Sequence, residues 1–335
     1  MYDDSPRQRV WQSIHHQQPQ RVPHHIIYTI PVKETLERHF GSEDLDNILD
    51  NHIVKYRLRM PDVEIRPDFW RDGFNVVWNR SIDKDIGTVE SYMMKKRSMA
   101  GIHFPNPKDE RIYMGLSAFL QNNSQRYCIA SVGFALFERS WSLRRMEELL
   151  VDMIEDPVWV EHLMDAITEY QLAVLDEALK YPLDGILFGD DWGQQSGLIF
   201  SPRLWRRFIK PRLARMFAKV KSAGKAVFLH SCGKIQALFP DLIEIGLDVF
   251  NPFQPEVMDV TEAKKQYGRH LCFYGGVSIQ KLLPYGTPQE IHSEVRRLMK
   301  EIGQGGGYIV APSHAMPPDI PLENILAFIE TVQNQ

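Results

Sequence analysis

From Arg126 onward the chain alternates short apolar runs with longer amphipathic ones, and that alternation limits what it can fold into. Runs at 127–131, 185–189, 226–230, 248–251, 271–275 and 308–311 are short, apolar and bounded by turn residues. Such runs read as strands buried on both faces. Helical stretches lie between them at 143–154, 157–180, 202–223, 235–245, 260–267 and 288–302, with a last one at 322–332. Pro211 should kink or split the third of these. Strand–helix–strand repetition implies a parallel sheet, because parallel neighbours need a crossover. A further strand is expected at 24–30, an apolar extended run closed by Pro31. Between 53 and 100 apolar and charged residues interleave, as in Asp62-Val-Glu-Ile-Arg66, and Gly73 and Gly87 mark turns. That pattern predicts short antiparallel strands, an excursion or lid with room for an eighth strand. Eight strands would close a (β/α)8 TIM barrel, α/β in class, with an N-terminal extension. The expectation is a single barrel domain over 1–335. An open doubly wound sheet is the alternative, but no Gly-x-Gly-x-x-Gly follows the first strand.

Composition narrows the class of function. With 335 residues and 44% hydrophobic content there is enough apolar material for one large core. The charge is balanced, 39 basic against 43 acidic residues, and no basic run stands out, so nucleic acid is not an expected partner. Cys128, Cys232 and Cys272 are too few and too scattered for a disulfide framework, which suits a reducing cytosol. The N-terminus is polar and acidic, unlike a signal peptide, and no apolar run approaches the roughly 20 residues a spanning helix needs. A cytoplasmic protein with no membrane partner is expected.

In barrel enzymes the reacting groups follow the strands at their C-terminal ends. Here those positions hold Asp190, Asp191, Trp192 and Gln195; then His230 and Cys232; then Asn251 and Gln254; then Tyr274; then Ser313 and His314. His230 and Cys232 are two positions apart just past a buried strand, and His314 occupies the matching slot three strands later. Three ligands with an open fourth position make the pattern of a catalytic zinc site, and His2Cys is an acceptable donor set. Asp190 and Asp191 are adjacent, so on an extended backbone only one can face the mouth. That one would be a general base, a partner for a substrate amine, or an acceptor for a ligand's outer shell. Tyr274 is a further candidate catalytic group, and Gln195, Asn251, Gln254 and Ser313 are candidate substrate contacts. His24 and His25 lie on the expected first strand, where plain burial is the favoured role, although that strand could turn one of them to the same mouth.

Several segments in fixed order resemble the uroporphyrinogen decarboxylase superfamily. They are His230-Ser-Cys-Gly, Leu242-Ile-Glu-Ile-Gly-Leu-Asp-Val-Phe-Asn-Pro-Phe-Gln-Pro255, Tyr274-Gly-Gly276, Leu283-Pro-Tyr-Gly-Thr-Pro288 and Gly306-Gly-Tyr-Ile-Val-Ala-Pro-Ser-His314. The resemblance implies a (β/α)8 barrel. In the porphyrin-decarboxylating branch, arginines in an Arg-Gln-Ala-Gly-Arg type segment hold substrate carboxylates; here Thr29-Ile-Pro-Val-Lys33 stands in that region. The motifs are closer to the zinc- and cobalamin-dependent methyltransferase branch, which holds zinc through His-x-Cys and a later Cys. His230 and Cys232 match the first two ligands, and His314 falls in the segment of the third. The implied activity is zinc-dependent methyl transfer between a corrinoid such as methylcobalamin, carried on a partner protein, and a thiol or other small acceptor. Two alternatives stay open: a metal-independent decarboxylase or lyase of a small carboxylated substrate, and a non-catalytic corrinoid- or metal-binding accessory protein. The aromatic residues of the 53–100 stretch would suit a lid or a homodimer surface.

Overall fold

The computed structural model describes residues 4–335. Residues 1–3, which begin the polar N-terminus considered above, lie outside the described residues. Among the described residues, thirteen strands are formed in three sheets. In chain order they are β1 (Ile53–Arg57), β2 (Val63–Arg66), β3 (Phe69–Arg71), β4 (Val77–Asn79), β5 (Thr88–Ser91), β6 (Tyr127–Val132), β7 (Gly185–Gly189), β8 (Gly193–Gln194), β9 (Gly197–Leu198), β10 (Ala226–His230), β11 (Val249–Phe253), β12 (Cys272–Val277) and β13 (Tyr308–Pro312).

The main sheet is curled and seven-stranded, in the order β1-β6-β7-β10-β11-β12-β13. Every pairing in it is parallel. Strands β11, β12 and β13 are buried along their whole length, as expected when both faces are covered. Alternation of side chains divides the core in two. One set faces inward and forms a compact cluster that includes Ile53, Tyr127, Ile129, Leu187, Phe228, Val249, Tyr274 and Ile309. The helix Pro6–Ile14 adds Val10 and Ile14 to that cluster. The other set packs outward against the crossover helices, among them Pro157–Ala178 and Pro288–Glu301. The stretch expected as one helix over 202–223 is two, Pro202–Phe208 and Lys210–Ser222, and Pro211 opens the second, where its missing N–H costs nothing.

Two expectations need correction. Residues 24–30 do not form a strand. They make isolated parallel bridges, His24 to Val310 and Tyr28 to Met316, before a helix starts at Ile30. The segment divides its bonds between two neighbours. His25 N–H donates to Val310 O (3.0 Å), while His24 O accepts from His52 N (3.1 Å) and Ile26 N–H goes to the Asn51 side chain (2.7 Å). No continuous ladder with either side results. The second correction concerns the 53–100 excursion. Its first five residues belong to the main sheet, where β1 pairs in parallel with β6 from Ile53–Tyr127 to Arg57–Ser131. The antiparallel part, β2 to β5, begins only at Val63. It is tied to the helix Phe137–Arg144 by Trp78, which packs edge-on against Phe134 and Trp141, and by the buried Asp72–Arg139 ion pair at 2.7 Å.

Candidate metal centre and active site

The four residues after β10 carry the chemistry, and every one of their backbone N–H groups has a partner. Ser231 N donates to Asn251 O (2.8 Å), Cys232 N to Asp191 Oδ1 (2.8 Å), Gly233 N to Gln254 Oε1 (2.8 Å) and Lys234 N to Gln194 O (3.0 Å). Ser231 Oγ also accepts from Trp192 N (3.2 Å). Gly233 has φ +83°, and a Cβ there would sit 2.4 Å from Gly193 C. Only glycine lets this loop and the β8–β9 hairpin close on one another. The loop is therefore held rigidly from β7, β11 and the hairpin together.

His230 is oriented by Asn251. Asn251 Nδ2 donates to Tyr274 O (3.0 Å), so its Oδ1 is the atom turned to His230 Nδ1, at 2.6 Å. A carbonyl oxygen can only accept, which places the ring proton on Nδ1 and leaves the Nε2 lone pair free. That lone pair faces Cys232 Sγ at 3.4 Å. His314 completes the group: ligand atoms of His230, Cys232 and His314 all lie within 4.8 Å of one another. In a tetrahedral zinc site with bonds of about 2.0–2.3 Å, ligand atoms stand roughly 3.3–3.8 Å apart. The Cys–His pair already has that spacing. The donor set is chemically right for zinc, and the orientation of His230 through Asn251 is the outer-shell arrangement such sites use.

Electrostatics keep the set ready but protonated at sulfur. Burial, and then His230, lower His314 to about 4, so its imidazole is neutral at physiological pH. Burial, and then the Asp191 carboxylate, push the Cys232 thiol well up. A metal entering here would release that proton.

The two aspartates divide as adjacency requires. Asp190 is fully buried and turns away from the mouth. Its carboxylate accepts the N–H groups of Leu136 (3.2 Å), Phe137 (2.9 Å) and Glu138 (2.8 Å), at the start of the helix Phe137–Arg144, and Trp192 Nε1–H (2.7 Å). Burial raises it to about 6 against those hydrogen bonds. Its place is an anchor for the helix, with no oxygen left for substrate. Asp191 is partly exposed and stands beside Cys232.

The other expected residues fall into two groups. Asn251, Gln254 and Ser313 are buried, and their side chains serve protein atoms: His230, the Gly233 N–H and the Ile279 N–H (3.3 Å) respectively. Gln195 is exposed on the hairpin turn and reaches Gln280 (3.4 Å). Tyr274 is almost wholly buried in the inner core, and its hydroxyl meets His25 Nδ1. His25, and not His24, is thus the inward-facing histidine of that pair.

Three residues that the sequence reading did not single out stand at the same mouth. Lys55 and Arg57 follow Ile53 at intervals of two on β1, so they share its inward face, and both are exposed. Surrounding protein, and then Arg57, pull Lys55 down to about 8. Glu138 stands at the first turn of its helix against the Asp191 N–H; burial, then Asp191 and Asp190, push it well up. A second group with metal-ligand types, His24, Asp50 and His52, lies at the opposite, N-terminal end of β1. Arg9 approaches His52 Nε2 there at 3.5 Å, which disfavours a cation.

The family model described as "Uroporphyrinogen decarboxylase (URO-D)" matches residues 137–335, more than half of the chain. The chain belongs to the URO-D family. Within it, a methylcobamide:CoM methyltransferase MtaA of Methanosarcina barkeri is 28% identical over 169 residues, 50% of this chain and 47% of that protein. A uroporphyrinogen decarboxylase of Coxiella burnetii is 25% identical over 185 residues, 54% of this chain and 49% of that protein. The chain thus matches about half the length of these curated relatives, and they carry different activities. A solved structure described as a methyltransferase from Methanosarcina mazei superposes with a TM-score of 0.73 over 98% of both chains, at 18% identity. That likeness shows a shared fold. Among the described residues no helix is long and apolar enough to cross a membrane.

Proposed function

We propose that this URO-D family chain is a zinc-dependent methyltransferase that moves a methyl group between a protein-bound corrinoid and a thiol or other small acceptor. One observation carries the reading: ligand atoms of His230, Cys232 and His314 gather within 4.8 Å, with His230 already in the right tautomer. The similarity to a methylcobamide:CoM methyltransferase supports it. In this reading residues 23–29 complete the barrel between β13 and β1, the whole chain is one domain, and β2 to β5 form its excursion. Three free cysteines suit a cytoplasmic setting.

Zinc bound by His230, Cys232 and His314 would lower the pKa of an acceptor thiol so that it reacts as a thiolate near neutral pH. The protein's own part is positioning. Asn251 holds His230, Asp191 holds the Cys232 backbone, and Ser313 fastens the segment that carries His314. A corrinoid donor would supply the methyl group and keep the electron pair of the bond it gives up, and the acceptor sulfur held by this site would take the methyl as its thiol proton leaves. Metal analysis of the purified protein tests the reading. About one zinc per chain is expected, lost in His230→Ala and Cys232→Ser, together with methyl transfer from methylcobalamin to a thiol. Carefully prepared wild-type protein without zinc would refute it.

A metal-independent decarboxylase is the second reading, favoured by the Lys55–Arg57 pair and by the decarboxylase relatives. Decarboxylation by chelator-treated protein would decide for it.

A further inference from the structure

The charges at the mouth are arranged by strand order. Lys55 and Arg57 come from β1, Glu138 from the segment after β6, and Asp191 from the end of β7. These three strands are consecutive neighbours in the main sheet. His230 and Cys232 come from β10 and the loop after it, and His314 follows β13. The mouth therefore has a charged arc along β1, β6 and β7, with the sulfur–nitrogen triad beside and across from it. His314 feels both kinds of charge: besides burial and His230, Asp191 draws its pKa up and Lys55 pushes it down. His25 feels Lys55 as well, after burial.

Among the described residues, none of Lys55, Arg57, Glu138 and Asp191 makes an ion pair, although two cationic and two carboxyl side chains share the arc; burial and the neighbouring aspartates favour the protonated form of Glu138, which a cation beside it would reverse. Elsewhere the protein pairs such groups freely, as in Arg144–Asp152 and Asp72–Arg139. Solvent-facing side chains of opposite sign on neighbouring strands gain by pairing when geometry allows. Here the two signs stand apart, each side chain without a partner of opposite charge among the described residues.

We propose that the acceptor of this site is zwitterionic, an α-amino acid bearing a side-chain thiol, with its carboxylate on Lys55 and Arg57 and its ammonium on Glu138 and Asp191. This rests on the methyl-transfer reading, because the thiol end is what the triad would receive. An α-amino acid has both charges at one end and its sulfur at the other. That matches an arc of mixed charge facing a metal centre. A purely anionic thiol would leave the carboxylates unpaired beside it, and a purely cationic one would leave the lysine and arginine unpaired.

Calorimetric titration of the zinc-loaded, full-length protein tests this with four thiols: homocysteine, 3-mercaptopropionate, cysteamine and 2-mercaptoethanol. Charge-assisted contacts at both ends should make homocysteine bind at least about tenfold more tightly than each of the others. Lys55→Met should remove its advantage over cysteamine, and Glu138→Gln its advantage over 3-mercaptopropionate. Zinc content should stay at the wild-type level in both variants. Equal affinity for homocysteine and 3-mercaptopropionate, or an unchanged preference in both variants, would overturn the inference. The same titration with methionine, butyrate and propylamine needs no metal-bound thiol. A protein that holds no zinc yet still prefers methionine would sink the methyl-transfer reading while leaving the zwitterion recognition standing.

Discussion

Asn251 decides which nitrogen of His230 is free. Its own amide is oriented by the Tyr274 carbonyl, so the tautomer of this candidate metal ligand depends on a strand two positions away in the sheet order. Removing such an outer-shell partner typically costs 10- to 100-fold in metal affinity. Asn251→Ala should therefore weaken zinc binding by about that range in competition with a chelator, while the circular dichroism spectrum stays unchanged. Unaltered affinity would mean that His230 needs no help to present Nε2. The candidate ligands were legible in the sequence, because a histidine and a thiol just past a buried strand stand where a parallel-sheet protein keeps its chemistry. Asn251, Gln254 and Ser313 were found, but their bonds to His230, the Gly233 N–H and the Ile279 N–H were not legible. A polar residue after a strand looks the same whether it faces a substrate or a backbone N–H. Only the partners separate the two, and those come from other parts of the chain.

At the scale of elements, the helix Phe137–Arg144 is what positions Glu138, and Asp190 is what starts that helix. Three backbone N–H groups and the Trp192 indole converge on one buried carboxylate. Each donor left without a partner costs about 1–3 kcal/mol. Asp190→Ala should thus destabilise the protein by about 3 kcal/mol or more, read as a fall in the denaturation midpoint. Asp190→Asn should recover part of the loss, because its one amide oxygen still accepts. Lost turnover at an unchanged midpoint would return Asp190 to a catalytic role. The main-sheet strands β6, β7, β10, β11, β12 and β13 were legible because each is a bounded, mostly buried apolar run. Strand β1 was not. After Ile53 and Val54 it reads Lys55-Tyr-Arg57, since its inward face opens at the mouth and carries charge. The charges that hid the strand also concealed its two mouth-facing cations from a search of strand ends.

The whole molecule depends on a seam between β13 and β1, filled by residues 23–29. Main-chain bonds fasten the segment to Val310 and Met316 on one side and to His52 on the other. The sequence pointed to a regular strand here, but Pro23 has no N–H to donate and the bonds go alternately to two neighbours, so only isolated bridges form. Two buried histidines occupy the seam. His24 donates Nε2–H to Leu49 O (3.1 Å) and its Nδ1 has no partner; His25 meets the Tyr274 hydroxyl. Burial lowers both to about 3. Their ordinary pKa is 6.5, so between pH 6.5 and 3 the unfolded chain binds more protons than the folded one, and stability rises with pH across that window. The contribution is complete above 6.5 and is lost as the pH falls toward 3. Well inside the window each histidine should remove about 1.4 kcal/mol per pH unit. Urea unfolding followed from pH 7.5 to 5 should show a steep loss of stability over the acid half of the range. His24→Gln keeps the donor to Leu49 but cannot be protonated, so its slope should be shallower by about one proton. Parallel slopes for the two proteins would show that acid attacks elsewhere and that the seam is not the acid-sensitive part of the fold.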